Sequence, residues 1–159
     1  MRHIVLLFTI FLTTQLSGQS IFKETQVGCD LDMFHLESDT LLTTYKTIDS
    51  LAMDFYKGLN PKFRETLKGV IAIQIYVDMG GSPCCVSIQN DSNITSRKLG
   101  IKDAINSLGS WSVPVYDLKP ANVCAIVRLT FSESQIFIER VGFNYFTKFK
   151  TITKSTIDR

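Results

Sequence analysis

The sequence predicts an α+β fold in which a small, antiparallel-rich sheet carries two helices packed on one face. Apolar residues alternate with a period of two in residues 69–77 and again in residues 123–131, as in half-buried strands. Elsewhere, apolar residues recur every three or four positions, which is the spacing of amphipathic helices. The 159 residues suffice for one domain with a modest core.

The beginning of the chain has the pattern of an export signal. The basic pair Arg2 and His3 precedes an apolar run from Ile4 to Leu12, and small residues such as Gly18 then offer a cleavage site. The run is shorter than the roughly 20 residues that span a bilayer. We therefore predict a signal peptide over residues 1–19 and a periplasmic or secreted protein without a membrane span after cleavage. A retained anchor is the alternative.

The charges of the chain are nearly balanced. It has 17 basic and 15 acidic residues, a formal net charge of +2. This balance gives no reason to expect nucleic acid or an anionic membrane as a partner. His35 is the only histidine after the signal segment, so Ser-His-Asp or Cys-His catalysis would depend on it alone. We predict no catalytic residue and no cofactor.

Four cysteines follow the signal segment: Cys29, Cys84, Cys85 and Cys124. An even number in an exported chain favours disulfides, and four cysteines allow three connectivities. No CxxC pair is present, and two adjacent cysteines do not easily ligate one tetrahedral ion, so we predict no metal site. We predict two disulfides, in which Cys84 and Cys85 go to Cys29 and Cys124 in an order that stays open.

The first part of the chain after the signal is predicted to be an extended leader, residues 20–37, followed by one domain over residues 38–146. A helix opens the domain, with Ser38 as its N-cap and Gly58 at its C-terminal end. A coiled-coil seam is the alternative use of its apolar stripe. The stripe consists of Leu41, Tyr45, Ile48, Ala52, Phe55 and Leu59.

A β-hairpin is predicted after a short helical turn that Pro61 introduces. Its first strand is residues 69–77, and its loop contains two glycines, which can take positive φ angles. The second strand directs Val86 and Ile88 towards the core. A second helix follows, with apolar residues at the spacing i, i+3, i+4 and i+7; they are Ile101, Ala104, Ile105 and Leu108.

The third strand is predicted over Val123–Phe131. A right-handed crossover from strand two to a parallel strand three places strand one between them, which gives the order 2-1-3. Residues 132–134 have the length of a hairpin turn, so residues 135–143 are a candidate fourth strand. Residues 147–159 are interpreted as a polar, basic and solvated tail.

The order of these pieces resembles a known family, the carboxy-terminal domain of TonB-type energy transducers, over about residues 59–131. The family pattern has a proline-led turn, a glycine, a strand ending in Val-Asp-x-x-Gly, a second strand, a short helix, a Trp-x-x-Pro element and a last strand ending in apolar-x-Phe. The matching residues are Pro61, Gly69, Ile71 to Gly81, Val86 to Ile88, Ile101 to Leu108, Trp111 to Pro114 and Val123 to Phe131.

The resemblance implies an exported, non-catalytic module that binds a peptide or a protein of the cell envelope, such as an outer-membrane receptor, by strand addition. A homodimer is a further outcome of such pairing. The alternative is a small exported enzyme or redox protein that uses Cys84 and Cys85. The resemblance places the partner on the last strand and the segment after it: Val123, Ala125, Val127, Leu129, Phe131, Ile136 and Ile138.

A fourth strand would change which edge of the sheet is open. A short hairpin puts residues 135–138 antiparallel to the last strand, so that they cover the edge a family member would offer. The free edge would then be the covering segment itself or residues 86–90 on the far side of the sheet.

Overall fold

The computed structural model describes residues 20–31, 33–38, 40–141 and 148–154, so the predicted signal peptide and the end of the predicted tail lie outside the described residues. The elements are, in chain order, β1 (Glu24–Thr25), β2 (His35–Leu36), α1 (Ile48–Gly58), α2 (Pro61–Arg64), β3 (Gly69–Val77), β4 (Pro83–Ser92), α3 (Ser96–Leu99), α4 (Ile101–Asn106), β5 (Val115–Tyr116), β6 (Lys119–Pro120), β7 (Val123–Phe131), β8 (Gln135–Arg140) and β9 (Lys148–Thr153).

A seven-stranded sheet organises the described residues, in the order β1-β4-β3-β7-β8-β9 with β2 paired to β7. The α+β class is therefore confirmed. The centre β4-β3-β7 has the predicted 2-1-3 order, and β8 follows it as the fourth strand. All pairings are antiparallel except β2 with β7. The sheet is wider than predicted because the leader adds β1 and β2 and the tail adds β9.

The two faces of the sheet differ in chemistry. On the core face, alternate residues of β3 are completely buried, and α1 and α4 pack against them in one apolar cluster. On the opposite face, which we call the back face, β3 presents Val70, Ala72, Gln74 and Tyr76. This alternation is what a strand period of two requires. The core-face residues of β3 are Ile71, Ile73, Ile75 and Val77.

Helix α1 begins at Ile48, and its N-cap, Thr47, lies nine positions after the predicted N-cap, Ser38. The hydroxyl of Thr47 caps it by accepting the N–H of Ser50 at 3.0 Å. The segment before Ile48 makes hydrogen bonds that a helix would not allow. In it, the buried carboxylate of Glu37 accepts the N–H of Thr43 at 3.0 Å. A helical period is present before Ile48, but these tertiary hydrogen bonds hold the backbone in another conformation.

A β-bulge in β4 corrects the predicted orientation of Val86. The register shifts between Gln74 and Ile75 of β3, so that Ser87 lies opposite Gln74 and Cys85 opposite Ile75. Val86 is the extra residue of the bulge. Cys85 therefore joins the core face in its place, while Val86 is buried outside the apolar cluster.

The second helix, predicted from about Thr95 to Leu108, is divided by Gly100, whose φ of +70° ends α3 before α4 begins. Trp111, predicted to be largely buried where that helix leads into the last strand, is 4% exposed. The backbone N–H of Trp111 donates to the carbonyl oxygen of Gly81 at 2.8 Å. A Cβ at Gly81 would lie 2.2 Å from the carbonyl oxygen of Trp111, so the close approach of these two segments requires glycine.

The predicted solvated tail contains a strand. Residues 148–153 pair with β8, and the N–H of Lys154 continues the pairing by donating to the carbonyl oxygen of Ser134 at 2.8 Å. Ile152 is buried in the core cluster. The ammonium group of Lys154 lies 5.7 Å from the ring centre of Tyr56, and burial lowers the pKa of this lysine. The basic composition of the segment concealed Ile152 as a core residue.

Leucine truncations test the assignment of the core. Leu129→Ala removes a side chain that is 1% exposed, and we expect a loss of about 2–5 kcal/mol in the free energy of unfolding. Leu118→Ala makes the same change where the side chain is 95% exposed, and should change that free energy by less than about 0.5 kcal/mol. Urea titration measures both. Equal losses would contradict the burial pattern.

Candidate functional site

The strand that the resemblance nominates, β7, lies in the interior of the sheet. β3 pairs with one side of it over its whole length. On the other side β2 pairs with Val123 and Cys124, β8 pairs with residues 127–131, and the N–H of Val141 donates to the carbonyl oxygen of Ile126 at 2.9 Å. β8 covers β7 as the hairpin predicts, and β9 covers β8 in turn.

The nominated side chains are buried as well. They face the helices from the sheet, which leaves a partner no access to them in this arrangement. Their exposed fractions are 0% for Val123, 0% for Ala125, 1% for Val127, 1% for Leu129, 3% for Phe131, 0% for Ile136 and 0% for Ile138. The structure thus brings these residues together, but in the core and not at an edge.

The outer edge of β4 holds an extended segment of the leader. β1 runs antiparallel to β4 with Glu24 opposite Ile88. The N–H of Gln26 donates to the carbonyl oxygen of Val86 at 2.8 Å. We call the outer edge of residues 86–90 the β4 edge. It is one of the two places where the sequence left a free edge, and it is occupied by strand addition from within the chain.

Beside the β4 edge, a groove of about 330 Å³ separates β1 from α3 and α4. In it, the hydroxyl of Ser96 donates to a carboxylate oxygen of Glu24 at 2.7 Å. Arg97 and Lys102 contribute two cationic side chains to the lining, and Asp103 contributes one anionic side chain. Hydrogen bonds to a charged group are stronger than neutral ones, so the groove favours a carboxylate at the position of Glu24.

The remainder of the leader crosses the back face of the sheet. The N–H of Ile21 donates to the amide oxygen of Gln74 at 2.8 Å. Further along, the ring of Phe34 meets the ring of Tyr76 edge-on at 5.9 Å. No described residue between 20 and 36 is buried. The leader is therefore attached mainly through backbone hydrogen bonds and little apolar area.

The second leader strand, β2, binds the first residues of β7. The N–H of His35 donates to the carbonyl oxygen of Asn122 at 2.9 Å, and the N–H of Glu37 donates to that of Cys124 at 3.1 Å. The ring of His35 packs on the ring of Tyr116 at 4.5 Å. His35 is exposed, and its ring contact is aromatic.

A disulfide between Cys29 and Cys84 joins the leader to the start of β4. Disulfides persist in oxidising compartments, so this bridge is compatible with export. The prediction of a second disulfide is wrong, because Cys85 and Cys124 are free and buried. Cys85 lies on the core face opposite Ile75, whereas Cys124 lies opposite Tyr76 on the back face, with β3 between their strands.

The two free thiols are poor nucleophiles in this environment. Burial raises the pKa of Cys85 to about 12 and the pKa of Cys124 to about 11. The thiolate is the reactive form of cysteine, and at neutral pH both groups are overwhelmingly protonated. The third candidate, Cys84, is held in the disulfide.

Sequence reasoning missed the residues that form the groove. Two-residue strands such as β1 carry no period, and Ser96 and Lys102 belong to helices whose apolar spacing draws attention to other positions. The pairing of Cys29 with Cys84 would have placed the leader beside β4. From the sequence alone, this pairing was one of several possible disulfide connectivities.

The chain matches no family model, no curated protein and no solved structure in comparisons with known proteins. Within residues 20–31, 33–38, 40–141 and 148–154, no helix is long and apolar enough to cross a membrane.

Thiol counting tests the cysteine assignment. Denatured, unreduced protein should show two titratable thiols, from Cys85 and Cys124, because the other two cysteines form a disulfide. In native protein at pH 7 both thiols should react at least about a hundredfold more slowly than a model thiol, because they are buried and protonated. Mass spectrometry of the alkylated peptides identifies them. A count of zero or four would contradict the assignment.

Proposed function

We propose that this chain is an exported, non-catalytic binding module that takes up an extended segment of a partner protein by strand addition at the β4 edge. The proposal keeps the mode of binding that the TonB-like resemblance implies and moves it away from β7. The leader supports this proposal, because the β4 edge already binds an extended segment of it through the β1 pairing and the Gln26 hydrogen bond.

The β4 edge has room for a longer segment than the leader supplies. Strand β4 covers Pro83–Ser92, while the backbone of the leader pairs with its outer side only at residues 86–88. Main-chain hydrogen bonds provide affinity in strand addition, and side chains that point into adjoining pockets provide specificity. A partner segment that forms more of these bonds can compete with the short β1 strand.

We infer the chemistry of the partner segment from the groove. A carboxylate in the place of Glu24 accepts the Ser96 hydroxyl and lies beside the cationic groups of Arg97 and Lys102. The carboxylate of Asp103, which also lines the groove, would repel further acidic residues of the partner segment. The partner is therefore an extended segment with one well-placed acidic residue, in a protein of the cell envelope such as an outer-membrane receptor.

A thiol enzyme built on Cys84 and Cys85 is the weaker alternative. Cys84 is bonded to Cys29, and burial raises the pKa of Cys85 to about 12. Neither group has the exposed, low-pKa thiolate that nucleophilic or redox catalysis needs. These observations favour binding over catalysis.

Peptide binding to a variant with a weakened leader strand tests the proposal. Gln26→Pro in the full chain removes the N–H that donates to Val86 and keeps the disulfide intact. A fluorescent peptide with the sequence of residues 20–28 should bind this variant. The same peptide with Gln in place of Glu24 should bind about tenfold more weakly, as expected for the loss of one hydrogen bond to a charged group. Fluorescence anisotropy measures both affinities.

Two serine variants control this experiment. Ser96→Ala, added to Gln26→Pro, should remove the preference for the glutamate peptide, since it removes the hydroxyl that contacts Glu24. Ser110→Ala makes the same change at an exposed serine and should leave the preference intact. Absence of peptide binding, or equal binding of the two peptides, would overturn the proposed function.

A further inference from the structure

The leader has one covalent attachment to the sheet within its described residues. This is the Cys29–Cys84 disulfide, which lies between β1 and β2 in the chain and joins the leader to the first residues of β4. The remaining attachments are the two-residue strands, side-chain contacts such as that of Ile21 with Gln74, and the buried carboxylate of Glu37, which pairs with Arg140 at the end of the leader. A covalent link raises the effective concentration of a weakly pairing segment at its site.

The surface beneath the leader includes buried polar groups. Gln74 and Ser87 are completely buried polar residues of the back face, and the Ser87 hydroxyl donates to the Gln74 amide oxygen at 2.6 Å. Some apolar side chains of the leader are exposed even when it is bound, with Ile21 at 47% and Val27 at 80%. Release of the leader would uncover Gln74 and Ser87 together with Tyr76 and Cys124, and would leave the apolar core between the sheet and the helices intact.

The disulfide is open to a reductant. Cys29 and Cys84 are both partly exposed. They contribute to the wall of a surface cavity of about 360 Å³, together with Gly28, Tyr76 and Asp78. The neighbouring thiol of Cys85 points into the core on the other side of β4 and cannot take part in exchange without unfolding.

We propose that the Cys29–Cys84 disulfide is a redox latch that holds the leader on the β4 edge, and that a dithiol reductant opens this edge to the partner segment. The dithiol supplies two electrons and two protons. The sulfur–sulfur bond breaks, Cys29 and Cys84 become thiols, and the reductant becomes a disulfide. The identity of the segment that binds rests on the proposed function. The release of the leader on reduction does not depend on it.

The reactivity of the Cys124 thiol can be used to detect release of the leader. Its side chain is 1% exposed, it shares the back face with Tyr76, and Leu36 of the leader lies opposite it in β2. Cys85 is equally buried on the core face, under α4, whose Asn106 accepts the N–H of Cys85 at 2.8 Å. Departure of the leader as far as Leu36, with Glu37 still in place, should expose Cys124 and leave Cys85 protected.

The test measures alkylation of these two thiols in the native full chain. Oxidised protein, protein treated with dithiothreitol and then desalted, and the Cys29→Ser/Cys84→Ser variant are labelled in parallel. Cys124 should react at least about tenfold faster in the last two samples, and Cys85 should be unchanged in all three. Mass spectrometry quantifies each site. Unchanged Cys124 labelling would overturn the latch, and so would equal acceleration of Cys85, because that signals general unfolding.

Peptide binding separates the latch from the proposed function. The peptide of residues 20–28 should bind the dithiol-treated chain at least about tenfold more tightly than the oxidised chain. Exposure of Cys124 without peptide binding would refute the proposed function and leave the latch standing. Peptide binding to the Gln26→Pro variant, with no release on reduction, would refute the latch alone.

Discussion

The two-sided pairing of β3 is the constraint on which the rest of the structure depends. β3 is bonded to β4 on one side and to β7 on the other along Gly69–Val77. Its core-face side chains are completely buried, so a shift of one residue would move the whole apolar set to the wrong face. The register fixes Cys85 and Cys124 on opposite faces and makes β4 and β7 the strands whose outer sides other segments must cover.

The occupants of those outer sides determine what the domain can bind. β8 and β2 cover β7, and β9 covers β8, so that β9 is the terminal strand on this side of the sheet. β4 is covered by the short β1 strand and by a disulfide at its first residues. Unprotected edges invite pairing with other chains, and this domain protects one with a segment that lacks buried residues.

Elements whose sequence period matches their burial were predictable. The β3–β4 hairpin, the crossover, the strand order and the burial of Trp111 follow from local pattern and connection rules. The start of α1 was mispredicted because Glu37 binds Thr43 in competition with the helix. The bulge at Val86 and the pairing of Cys29 with Cys84 depend on contacts between distant residues, which carry no local signal. The candidate site, formed by two-residue strands, was not visible for the same reason.

Amide hydrogen exchange tests most directly the claim that a weakly held leader lies on a rigid sheet. The Gln26 amide, bonded to the carbonyl oxygen of Val86, should exchange by local opening, at least about a hundredfold faster than the Ile73 amide at the centre of β3. Reduction of the disulfide should accelerate the Gln26 amide further and leave the Ile73 amide unchanged. Equal protection of the two amides, before and after reduction, would contradict the account.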